Sequence, residues 1–154
     1  MNQILLICAV VALVGCGEKK PLTKEESAKV IEAMIRRESG KRTGELTKAH
    51  LEQVWVIYLN DSQLTDVKGL EKLTQLRELM LSGNKLTDVK GLEKLTQLRE
   101  LYLGGNQLTN VKGLEKLAKL RDLWIMSNPD LTKAQIDELQ KALPKCKIRS
   151  NPTK

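Results

Sequence analysis

The chemistry open to this 154-residue chain rests on few side chains: three cysteines, one histidine and carboxylates that recur at fixed spacing. His50 has no Ser, Cys or Asp placed around it as a nucleophilic triad needs, so a surface or helix-capping role is expected. No His/Cys cluster has the spacing of metal ligands, and no metal site or cofactor is expected. Gly83, Gly104 and Gly105 lack the pattern of a phosphate-binding loop. Glu78, Glu100 and Asp122 recur every 22 residues, which makes a row and not a pocket of convergent groups. No catalytic residue is assigned, and an enzyme is not expected. Recognition chemistry remains. The chain holds only four aromatic residues, Trp55, Tyr58, Tyr102 and Trp124. Aromatic and Met side chains gathered on a surface typically form the core of a binding interface.

Those residues become neighbours only through a repeat. Residues 64–85 read LTDVKGLEKLTQLRELMLSGNK and residues 86–107 read LTDVKGLEKLTQLRELYLGGNQ, sharing 19 of 22 residues. Residues 108–129 read LTNVKGLEKLAKLRDLWIMSNP. A degenerate unit precedes them at 42–63, with Val54, Ile57 and Leu59 in the leucine positions. A fixed period of this length marks a solenoid. The absence of Phe suits one, because thin uniform layers of Leu and Val fill such a core. Within each unit the pattern is L-x-x-L-x-L-x-x-N, as in Leu76, Leu79, Leu81 and Asn84. This resembles the leucine-rich-repeat superfamily, and the 22-residue length resembles the internalin-type bacterial repeats. The resemblance covers about residues 25–148. It implies an α/β solenoid: a short curved parallel β-sheet on the concave face and helical or 3₁₀ turns on the convex face.

Simple geometry then sorts the side chains. Leu79 and Leu81 are two apart and point to one side of a short strand, while Glu78 and Met80 turn to the concave face. Leu70, Leu73 and Leu76 are three apart, as in a 3₁₀ return. Asn84, Asn106 and Asn128 fall at the following turn as a structural ladder that satisfies backbone groups of the neighbouring coil. Ser62 holds that place in the first unit and weakens the ladder there. Stacked at about 4.8 Å, the units form concave lanes. One reads Tyr58, Met80, Tyr102, Trp124. Beside it run Val56, Glu78, Glu100, Asp122, then Trp55, Arg77, Arg99, Arg121; on the other side run Asn60, Ser82, Gly104, Met126. Units 64–85 and 86–107 differ only at Met80/Tyr102, Ser82/Gly104 and Lys85/Gln107, on or just past this strand. The scaffold is copied while the face varies.

The expected partner-binding residues are therefore Tyr58, Met80, Tyr102, Trp124, Val56, Glu78, Glu100, Asp122 and Trp55. The plain alternative is that these side chains only shield and brace the sheet. The acidic lane suggests a partner with some basic character. A protein partner is expected, and a glycan that stacks on the rings is the alternative. Net charge is +7, but nine basic and six acidic residues lie in 16–50, eleven and ten in 51–129, and six and three in 130–154. The excess sits at the ends, so no continuous basic groove for nucleic acid is expected. The convex columns Lys68/Lys90/Lys112 and Lys72/Lys94/Lys116 run beside Glu71/Glu93/Glu115 and read as a solvated surface.

Both ends of the stack need covers. Thr23 and Glu26 form a capping box that predicts a helix over 24–38 within a cap spanning 23–41, with Val30, Ile31, Met34 and Ile35 inward and Gly40 as its stop. Thr132 and Gln135 form another within a helical cap spanning 130–154, with Ile136, Leu139 and Leu143 inward and Cys146 and Ile148 as final core residues. Two caps imply a domain of four units, read as a monomer.

Residues 4–14 form an apolar run of eleven, shorter than the about 20 needed to span a bilayer and fitting a signal peptide. Leu13-Val14-Gly15-Cys16 resembles the bacterial lipobox. That resemblance implies a lipoprotein signal peptide over 1–15, lipid chains on Cys16, and a tether over 16–22. Only Met1-Asn2-Gln3 precedes the run, with no Lys or Arg, so an uncleaved anchor or a different start is the alternative. Either version attaches the chain to a membrane of the cell envelope, and Gly17 after the cysteine favours the outer one. Cys8 leaves with the signal peptide and Cys16 is acylated. Cys146 is then the one thiol left, and no intrachain disulfide is expected.

Overall fold

The computed structural model describes residues 20–151. The expected signal peptide, Cys8 and the expected lipid attachment at Cys16 fall outside the described residues. Helix α1 covers Lys24–Glu38 and a short helix α2 covers Lys48–Glu52. Four strands follow at the repeat period: β1 Val56–Tyr58, β2 Glu78–Met80, β3 Glu100–Tyr102 and β4 Asp122–Trp124. Between them, 3₁₀ turns at Leu70–Lys72, Leu92–Lys94 and Leu114–Lys116 return the chain. Helix α3 covers Lys133–Ala142 and strand β5 covers Lys147–Arg149. All five strands are parallel, in the order β1-β2-β3-β4-β5. Among the described residues, no helix is long and apolar enough to cross a membrane.

Each layer closes by the same arithmetic. Leu73 N donates to Leu70 O and Leu76 N to Leu73 O, both at 2.9 Å, so leucines three apart turn to one side. Leu70, Leu73, Leu76, Leu79 and Leu81 are fully buried, as are their counterparts Leu92, Leu95, Leu98, Leu101 and Leu103. Burying a Leu side chain contributes about 1.5–3 kcal/mol, and the layers share one continuous core.

The asparagine ladder satisfies the turn. Asn106 Nδ2 donates to Leu81 O and Leu103 O at 2.9 Å each, and its Oδ1 accepts from Leu86 N at 3.1 Å. Asn84 and Asn128 repeat this pattern. In the first unit the Ser62 hydroxyl donates to Asn60 O, in its own turn, and makes no ladder rung.

The caps are built on the motifs that announced them. Thr23 N donates to Glu26 Oε2 at 2.8 Å, and Glu26 N donates to Thr23 Oγ1 at 3.2 Å. Ile31 and Ile35 are buried, and Val30 and Met34 pack beside them. Ser27 is also buried; its Oγ accepts from Thr65 N, which ties α1 to the first full repeat. Where later units have a 3₁₀ turn, unit 42–63 has α2, and His50 Nδ1 accepts from Thr47 N at 3.1 Å as a cap. At the other end Thr132 N donates to Gln135 Oε1 at 2.8 Å. Beyond that helix the chain makes more than a helical cap. Strand β5 adds itself to β4, with Ile148 in register with Leu123. Cys146 is buried as expected, whereas Ile148, at the sheet's edge, is only half-buried.

Candidate binding face

The strand register places the sequence lanes side by side. Tyr58, Met80, Tyr102 and Trp124 are successive partners across β1 to β4, and Val56, Glu78, Glu100 and Asp122 form the next lane. Each strand buries its central residue and leaves its outer two on the open face. Tyr58 is 52% exposed, Trp55 54% and Met126 42%; the other residues of the aromatic lane are half-buried. All nine residues expected to meet a partner therefore reach this face or its rim.

The lane is braced internally. The Tyr102 and Trp124 rings stack with centroids 5.8 Å apart and planes at 24°. Strand β5 extends both lanes with basic residues, Arg149 beside Trp124 and Lys147 beside Asp122. The Arg149 guanidinium lies 4.0 Å over the Trp124 ring and pairs with Asp122 Oδ1 at 3.0 Å. Tyr102 from β3 and Arg149 from β5 thus both pack against Trp124 on β4. The arginine was not legible as part of the site, since no repeat position announces it; an Arg in the C-terminal segment opposite an acidic column is the one available hint.

The charge balance differs from that suggested by the acidic lane alone. Asp122 is held by Arg149, and Glu100 Oε2 accepts the Tyr102 hydroxyl at 2.8 Å. That bond and the nearby carboxylates push the Tyr102 phenol above its ordinary range. Arg77, Arg99 and Arg121 form an exposed ridge along the rim, and none makes a salt bridge among the described residues. Arg77 lies 4.8 Å over the Trp55 ring. Glu78 has no side-chain partner among the described residues, and Glu100 stays anionic beside the neutral Tyr102 hydroxyl. The exposed arginines thus set a positive ridge beside the acidic lane.

The remaining candidates are structural. Asn60 Oδ1 accepts from Ser82 N at 2.9 Å, so the fourth lane partly serves the turns. Burial and the Asp122 charge push the Cys146 thiol up to about 11, which suits a core residue. On the convex side an open groove of about 460 Å³ lies among Asp88, Lys90, Glu93, Asn110, Lys112, Gly113, Glu115 and Lys116. Glu93 and Glu115 accept there from the N–H groups of Gly91 and Gly113 at 2.6 and 2.7 Å. Among the described residues, no group of three His, Cys, Asp or Glu could hold a metal ion.

Comparison with known proteins supports the repeat assignment. A family model described as Leucine Rich repeats (2 copies) matches residues 56–94 and 96–141. Among solved structures, the chain is similar to an internalin from Listeria monocytogenes, at 29% identity and TM-score 0.60, over 70% of this chain and 33% of that one. Internalin C2 from the same organism aligns at 24% identity and TM-score 0.67, over 84% and 59% of the two chains, a likeness of fold alone. A leucine-rich-repeat protein of Leptospira interrogans aligns at 31% identity and TM-score 0.57, over 68% and 28%. The chain thus spans less than two thirds of each of these structures. No curated protein sequence matches it.

Proposed function

The chain belongs to the leucine-rich-repeat family, and from that membership we propose that it is a non-catalytic protein-binding module of the bacterial cell envelope. The partner docks on the concave lane Tyr58, Met80, Tyr102 and Trp124. One observation carries this reading: the four residues stand in register on adjacent strands, on a face that no other described segment covers. Contiguous aromatic and Met surface of this kind is typical of protein interfaces. Val56, Glu78, Glu100, Asp122 and Trp55 complete the footprint. Lipid on Cys16 is the proposed link to the membrane, with residues 16–22 as the tether and 23–41, 42–129 and 130–154 as cap, repeats and cap.

The glycan alternative has less support. A sugar ring stacks flat on an open aromatic face, and the Trp124 ring already packs against Tyr102 and Arg149.

The test is proximity labelling from the full chain in cells, compared with Tyr102→Ala and Trp124→Ala. A real docking face predicts one set of labelled proteins that both variants lose while circular dichroism stays unchanged. Retention of that set in both variants refutes the reading.

A further inference from the structure

Building on the docking face just proposed, we infer that the partner presents an amphipathic α-helix with an acidic flank, laid along the solenoid axis across the strands. Two observations point to it. The first is the sign of the charge left unused. Arg77, Arg99 and Arg121 are exposed in one lane and make no salt bridge among the described residues, whereas Glu100 and Asp122 are engaged by the Tyr102 hydroxyl and by Arg149. Lys147 adds a further exposed cation at the end of the acidic lane. Acidic side chains at the rim complement this ridge, and bidentate carboxylate pairing suits the planar guanidinium.

The second observation is spacing. Successive arginines are one strand apart, about 4.8 Å. Helix residues on one face return every turn, about 5.4 Å. An extended chain returns to one face every two residues, about 6.6 Å. Across three strands the helix drifts by about 1.2 Å, which flexible arginines absorb, and the extended chain by about 3.6 Å, most of a strand. A helix with Glu or Asp at i, i+4 and i+7 therefore meets Arg77, Arg99 and Arg121 in turn. Its apolar stripe reaches across the Glu78/Glu100/Asp122 lane, where Glu100 and Asp122 are already engaged, toward Met80, Tyr102 and Trp124. Five strands accommodate about 13 residues of helix.

The experiment is selection from a displayed library of helix-constrained 14-residue peptides against the full chain, with recovered peptides titrated by Trp fluorescence. The expected sequences carry acidic residues at turn spacing beside an apolar stripe. Their affinity for the native chain falls as salt rises, and at low salt Arg99→Glu/Arg121→Glu lowers it at least tenfold. That double variant keeps the native circular dichroism and melting profile, because both side chains are exposed. Binders that need Tyr102 and Trp124 but carry no acidic flank, or ignore the arginine reversals, overturn the inference and leave the docking face standing. Recovery of no binder, or of binders indifferent to Trp124→Ala, also overturns the inference; the docking face itself stands or falls by the labelling comparison.

Discussion

Asn106 is a polar side chain almost sealed among leucines, 4% exposed, and it holds three backbone groups from two layers. Replacing it by Leu keeps the branched shape but orphans Leu86 N, while Leu81 O and Leu103 O keep the Asn84 and Asn128 amides. An unsatisfied buried group costs about 1–3 kcal/mol, so Asn106→Leu should lose about 1–3 kcal/mol, measured by guanidinium unfolding. Tyr102 supplies a second check. Its raised pKa comes first from the hydrogen bond to Glu100, then from burial and the neighbouring carboxylates. The neutral phenol is the favoured form, so its contribution to stability is complete below 10.0 and is lost as pH rises through the folded value. With Tyr58→Phe leaving Tyr102 as the one tyrosine, the tyrosinate absorbance midpoint should lie above 10.0, and Glu100→Gln should bring it down. The asparagines were legible because they recur at the period of the leucines. Ser27 and Arg149 were not, because each acts across a contact, 38 and 27 residues distant, that no periodicity records.

The turns after the strands place residues 61, 83, 105 and 127 in the left-handed region, with φ of 53° at Asp61, 70° at Gly83, 67° at Gly105 and 58° at Ser127. Glycine takes that conformation without steric cost, while a residue with a Cβ pays about 1–2 kcal/mol. Ser127→Gly should therefore stabilise the fold by about 0.5–1 kcal/mol. Gly83→Ala should destabilise it by more than about 1 kcal/mol, since an added Cβ would also strike the Asp61 carboxylate. Thermal melts of the two variants should move in opposite directions. Caps were readable from sequence because a capping box is complete within four residues. Strand β5 was not: Lys147-Ile148-Arg149 follows a helix without repeat spacing, and pairing with β4 alone makes it a strand. Helix α2 likewise replaces the expected turn in a unit whose leucine pattern is degenerate.

Whole-molecule architecture was the most legible level, because 19 of 22 identical residues in adjacent units force identical backbones to stack. The aromatic lane followed from the same period, but the charge around it did not, since that depends on which side chains are already engaged. Attachment to the membrane is a proposal about the intact chain. In cells fed a clickable fatty acid, Cys16→Ser should abolish lipid incorporation and release the protein from the membrane fraction, with folding unchanged; label retained in that variant would rule out this anchor. Arg149 has a final consequence at this scale. It closes one extremity of the aromatic lane with a guanidinium, while Tyr58 leaves the other open. The lane therefore has polarity: head-first and tail-first occupants of the proposed face would meet different chemistry at its two ends.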